Sequence, residues 1–101
     1  MRSPYPDLCS SVIWALKQFN KIRPVEMAQF LDTKEKSVRD EIRRLYEFSM
    51  LKNYILREKT STAAYYSLTG VAKDSSVEFL KDIATKTWRF NRRYKSRRGK
   101  R

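Results

Sequence analysis

Within residues 34–44, KEKSVRDEIRR, the side chains equipped for chemistry are Lys34, Lys36, Ser37, Arg39, Arg43 and Arg44, with Asp40 set among them. Their chemistry is recognition rather than bond making. Ammonium and guanidinium groups donate hydrogen bonds to anions, and one guanidinium can reach two acceptors on a guanine edge. Little else in the chain suits a catalytic mechanism: there is no His, Cys9 is the sole thiol, and only two Gly are present. Neither a disulfide nor a Cys/His zinc site can be built within one chain from that inventory. A binding protein is expected, without cofactor or resident metal, and not an enzyme.

The charge is unevenly spread. Of 23 Lys and Arg, nine fall in residues 86–101 with no acid among them, which leaves 14 basic against 11 acidic groups in residues 1–85. A net charge of +12 on 101 residues makes a polyanion the leading expected partner. The division predicts one domain over residues 1–85 and a basic extension over 86–101, disordered when free. No apolar run approaches the ~20 residues of a membrane span, and MRSPYPDL lacks the apolar core of a signal peptide, so a cytoplasmic protein is expected.

Hydrophobic spacing indicates how these groups are positioned. Asp7 is suited to cap a helix carrying Leu8, Val12, Ile13, Leu16 and Phe19 on one stripe, with Trp14 at its margin. Cys9 reads as a packing thiol of that helix. After an apolar pause at Ile22, Pro24 opens a second short helix, Pro24 to Leu31, that turns Val25, Met27, Ala28 and Leu31 inward. Asp32 and Thr33 make a break. A third helix is predicted from about Lys34 to Phe48, with Val38, Ile42 and Leu45 inside, Lys36, Asp40, Arg43 and Glu47 opposite them and Ser37, Arg39 and Arg44 on the shoulders, a polar and mainly basic outer face. The segments KNYILRE and AAYYSLT predict an antiparallel hairpin whose tip, near Lys59 to Thr62, lacks Gly and Asn and so exceeds two residues. A last helix is predicted from Asp74 or Ser75 to beyond Trp88, with Val77, Leu80, Ile83, Ala84 and Trp88 on one side.

That order, together with the Ala28–Asp32–Val38 spacing, SVRDEIRRL, the SML exit and the YYSLT return strand, resembles the winged helix-turn-helix family over roughly residues 8–85. Asp32 stands where the family usually has Gly, and Asp40 where many members have a basic or hydroxyl residue. In size, motif placement and basic C-terminus the chain is also similar to enterobacterial carnitine-operon and virulence activators. The fold class implied is mainly α with a small β-hairpin.

The resemblance implies a sequence-specific regulator of transcription on double-stranded DNA. Helix 34–48 would enter the major groove, with Lys34, Lys36, Ser37, Arg39, Asp40, Arg43 and Arg44 as contacts and Arg39 and Arg43 as guanine readers. Arg57, Lys59, Thr60, Ser61 and Thr62 would form the wing. Arg92, Arg93, Lys95, Arg97 and Arg98 would hold the backbone without regard to sequence. Two other readings remain open: an RNA-binding or ribosome-associated module in which Trp88, Phe90 and Tyr94 stack on bases, and a replication or phage interaction factor with a nonspecific nucleic-acid anchor. The stripe Val77, Leu80, Ala84 and Trp88 looks wider than one small core needs, which predicts a homodimer through the last helix.

Overall fold

A computed structural model of the chain describes residues 3–85, and the positions 86–101 expected to carry the tail, with Trp88, lie outside them. The architecture is mainly α with one two-stranded antiparallel hairpin, compatible with a winged helix-turn-helix. Its elements are α1 (Leu8–Gln18), α2 (Pro24–Leu31), α3 (Glu35–Phe48), a 3-10 turn (Met50–Tyr54), β1 (Ile55–Lys59), β2 (Ala64–Leu68) and α4 (Gly70–Lys73). A further helix, α5, runs over residues 77–85 of the described part.

Local chemistry starts and stops these elements where it is expected to. The Asp7 carboxylate accepts the Ser10 N–H at 2.9 Å, which satisfies one orphan donor at the start of α1. Burial raises the affinity of this carboxyl for its proton, but the Ser10 hydrogen bonds and the Lys81 ammonium 3.1 Å away outweigh burial and hold its pKa below the ordinary value. Pro24 occupies the first turn of α2, and Glu26 reaches back to accept the Arg23 backbone N–H at 3.1 Å. Asp32, at φ 56° and ψ 51°, then takes the left-handed conformation that ends α2, while the Thr33 N–H returns to the Ala28 carbonyl at 3.0 Å. Asp bears this geometry better than most residues because its short side chain can hydrogen-bond locally.

Val12, Ile13 and Leu16 of α1, Met27 and Ala28 of α2, and Val38, Ile42 and Leu45 of α3 form the centre of the core, as the spacing predicts. Leu8 and Phe19 only flank it, and Val25 is half-buried. Trp14 and Phe19 close its edge on Phe30, the first stacked at 5.4 Å and the second edge-on at 4.9 Å.

Three boundaries differ from the sequence prediction. The chain does not enter a strand at Lys52. Ser49 Oγ accepts the Leu51 N–H at 3.1 Å and donates to the Leu45 carbonyl at 2.8 Å, which caps a 3-10 turn and drives Leu51 into the core. Secondly, Thr69 caps the short α4, which buries Ala72. The last helix accordingly begins at 77 rather than 74 or 75, with Ser76 Oγ accepting the Phe79 N–H at 3.1 Å. Third, Val77, Leu80 and Ala84 are at most 4% exposed and belong to the chain's own core. Those three residues are occupied internally and offer no surface to a second copy, while Trp88, the fourth of the stripe, lies outside the described residues.

The hairpin pairs Ile55 with Leu68, Arg57 with Tyr66 and Lys59 with Ala64. Ile22 adds a one-residue bridge on the other side of β2, exchanging two 2.9 Å hydrogen bonds with Tyr66. β1 is therefore the open edge, and its Arg57, Glu58 and Lys59 discourage further strand pairing.

Candidate nucleic-acid interface

The groups that prepare α3 for a partner lie on both sides of it. Behind it, Val38, Ile42 and Leu45 fix its rotation, so that Lys34, Lys36, Arg39, Asp40 and Arg43 are exposed, while Ser37 and Arg44 are half-buried on its shoulders. Beside it, the hairpin tip comprises Thr60, Ser61, Thr62 and Ala63, two residues longer than a two-residue loop. Thr60 Oγ1 accepts the Ala63 N–H at 3.0 Å, and the Thr60 N–H donates to the Ala63 carbonyl at 2.7 Å. Arg57 lies over the Tyr46 ring of α3, 4.8 Å from its centroid, and Tyr46 meets Tyr66 edge-on at 6.0 Å. Hydrogen bonding to Tyr66 raises the Arg57 pKa above its ordinary value, ahead of a smaller opposing effect of burial. The wing is thus tied to the helix through a cation–π stack, an arrangement that costs Arg57 part of its availability to a phosphate.

Sequence reasoning missed the electrostatic state of the helix. Lys36 pairs with Asp40 at 3.0 Å, Arg43 with Glu47 at 3.5 Å, Arg39 with Glu35, and Arg44 with Glu41. Four cations meet four carboxylates, so Glu35–Phe48 carries no net charge. The face expected to be mainly basic is a lattice of i,i+3 and i,i+4 ion pairs. Its signal was present in the spacing of the acids and bases themselves. These exposed pairs contribute little to stability, roughly 0.2–0.5 kcal/mol each, but they give the outer face of the helix alternating sign rather than a positive field.

Other cations of the body have structural work. Lys17 Nζ donates to the Lys73 and Ser75 carbonyls at 2.6 and 2.5 Å, and Lys73 Nζ returns a 2.7 Å bond to the Phe19 carbonyl. Each ammonium thereby closes the C-terminal end of the other's helix, where the backbone is partially negative. Lys21 bridges to Glu58 at 3.1 Å and sits over the Tyr65 ring, and Lys81 serves Asp7. Among the described residues, Lys34, Lys52 and Lys59 are the cations whose side chains enter no ion pair, hydrogen bond or ring contact. Two of these three stand at the entry to α3 and at the end of β1.

Cys9 is half-buried against the core, and burial, then the nearby Glu41 carboxylate, pushes its thiol up to about 12. It stays protonated and unreactive at neutral pH. No group of three or more His, Cys, Asp or Glu is placed to hold a metal ion among the described residues. None of the described helices is long and apolar enough to cross a membrane. Arg92, Arg93, Lys95, Arg97 and Arg98 lie beyond residue 85, outside the described residues. No protein-family model matches the chain, and a search of curated proteins finds no significant match.

Proposed function

We propose that this protein is a sequence-specific double-stranded DNA-binding regulator of transcription that reads the major groove with α3. The observation that supports it best is the left-handed turn at Asp32, which sets α3 against α1 and α2 with its inner face buried and its outer face exposed among the described residues. A helix so presented has the width to enter a major groove, about 12 Å across. Unpaired Lys34 and Lys59 would take phosphates, Arg43 and Arg39 would turn from their carboxylates to base edges, and Asp40 has the acceptor chemistry suited to a cytosine amine.

The ion-pair lattice gives this reading a particular mechanism. A neutral helix gains little from phosphates in general, so the nine basic groups of residues 86–101 supply the sequence-independent attraction, and α3 contributes where base donors and acceptors replace its internal partners. Selection of sites from random duplexes, with single-stranded RNA as competitor, tests the choice of nucleic acid. Arg43→Ala should then weaken the selected duplex by about 1–3 kcal/mol and relax one base position, leaving random DNA nearly unaffected.

One observation favours a second reading. Because α3 is neutral, the basic excess is concentrated in a segment that also holds Trp88, Phe90 and Tyr94, the composition of a single-strand RNA binder. RNA that outcompetes every duplex, with Arg43→Ala silent, would select that reading over the first.

A further inference from the structure

Of the four ion pairs along α3, only that of Lys36 with Asp40 has both side chains more than half exposed, at 86% and 60%. It sits opposite Val38, Ile42 and Leu45, on the line of the helix that reaches furthest from the core. The ammonium is 3.0 Å from Asp40 Oδ2, and neither residue has another polar partner among the described residues. An ammonium carries three donors and an ionised carboxylate two acceptor oxygens. The contact between them uses one of each, so two donors and one oxygen remain, side by side, for a partner outside the chain.

A G·C base pair carries the complement of that set. Its major-groove edge presents two acceptors, guanine N7 and O6, followed by one donor, the cytosine N4 amine. An A·T pair instead places its single donor, adenine N6, between N7 and thymine O4, with the thymine methyl beyond. There the ammonium meets one acceptor where guanine offers two adjacent ones, and the methyl crowds a charged couple without satisfying it. Charge favours keeping the couple together. A carboxylate alone would be repelled by the phosphates that border the groove, whereas Asp40 beside Lys36 enters as half of a neutral pair.

We infer that Lys36 and Asp40 act together as the reader of one G·C base pair, the Lys36 ammonium on guanine N7 and O6 and the Asp40 carboxylate on the cytosine amine. The inference rests on the proposed entry of α3 into the major groove and deepens it by naming the base pair at the centre of the contact. Arg43 follows Lys36 two helical turns on, roughly 10.5 Å at 1.5 Å per residue, or about three base-pair rises of ~3.4 Å. A guanine under Arg43 therefore falls within about three base pairs of the one under Lys36.

The test selects sites from random duplexes with the full chain, then compares the selected duplex by fluorescence anisotropy with versions in which each G·C pair in turn becomes A·T. At one position the wild type should lose about fivefold to 150-fold, the worth of one well-made base contact. Lys36→Gln and Asp40→Asn, both at exposed positions that leave the core untouched, should each shrink the loss at that same position and leave the others unchanged. Replacing its guanine by 7-deazaguanine, which lacks the N7 acceptor, should weaken wild type and not Lys36→Gln. Four results would overturn the inference and leave groove entry of α3 standing: selected duplexes indifferent to the loss of any G·C pair, the two variants acting at different base pairs, wild type indifferent to 7-deazaguanine, or Lys36→Gln weakening every duplex alike as loss of a phosphate contact does. Failure to select any duplex would overturn groove entry and the inference with it.

Discussion

Consider a variant in which the three exposed carboxylates of α3 lose their charge, Glu35→Gln, Asp40→Asn and Glu47→Gln together. Each releases one cation: Arg39, Lys36 and Arg43 respectively. The helix loses three i,i+4 pairs at roughly 0.2–0.5 kcal/mol each, about 1 kcal/mol in all, which leaves the fold intact. Only the Glu35–Arg39 pair has the acid on the N-terminal side, the better orientation, so most of that cost falls there. Electrostatically the change is larger, since α3 passes from neutral to three positive charges. If all three cations reach phosphates, the slope of log affinity against log salt on random duplex DNA steepens by about 2.7, at about 0.9 per phosphate. Fluorescence anisotropy over a salt series measures it, and a thermal melt checks that the variant is folded. Random DNA should be bound more tightly and the ratio of selected to random affinity should fall, because the carboxylates no longer oppose indiscriminate contact. A folded variant with an unchanged slope on random DNA would refute the placement of this face against the duplex.

Leu45→Ala empties a fully packed position of α3 and should cost about 2–5 kcal/mol in chemical denaturation, a large share of the ~5–15 kcal/mol that a domain has. Truncation after Asn91 removes seven cations and should reduce the salt slope by up to about 6 on every sequence alike, with the ratio of selected to random affinity nearly preserved in a competition assay. Asp7→Ala removes the α1 cap and should cost about 1 kcal/mol near neutral pH, read as a lowered melting temperature. Since the folded Asp7 pKa is depressed, its stabilisation is fully present above the unfolded value near ~4 and is lost as pH falls through the folded value; wild type and variant should therefore converge in acid.

How far the sequence discloses this structure can be judged residue by residue. Pro24 and Asp32 bracket α2 because one presets the helical φ and the other tolerates the left-handed exit, and both effects are local enough to read without a fold. The rotation of α3 was equally legible, since Val38, Ile42 and Leu45 leave one phase that hides them all. Lys52 to Tyr54 went wrong for the opposite reason. They run through Tyr54 into Ile55 and Leu56, residues whose character suits a strand, but the Ser49 hydroxyl supplies a competing cap and the turn that follows buries Leu51. Thr69 was a comparable cap signal, masked by a four-residue helix too short to show periodicity. For Val77, Leu80 and Ala84 the spacing was read correctly and the partner was not: periodicity identifies a buried face without saying what buries it. Glu41 was the least accessible to sequence reasoning, because a charged residue one position from Ile42 counts as polar in any pattern, and only tertiary packing buries it.

The same limit applies to charge. Counting Lys and Arg treats every cation as available, yet in this domain the Lys17 and Lys73 ammoniums close helix ends, Arg57 rests on Tyr46, and α3 cancels its own four. What the count cannot see is that availability depends on where the nearest carboxylate or carbonyl sits, within about one turn of helix. Once those commitments are removed, the unpaired cations of the described body reduce to Lys34, Lys52 and Lys59, and under the proposed function the weight of a polyanion contact would shift to residues 86–101. Under the proposed function, attraction and reading would thereby fall to different parts of the chain. A reader that does not attract spends less of its affinity on random sequence, so neutral α3 favours discrimination where a basic α3 would favour retention anywhere on the duplex.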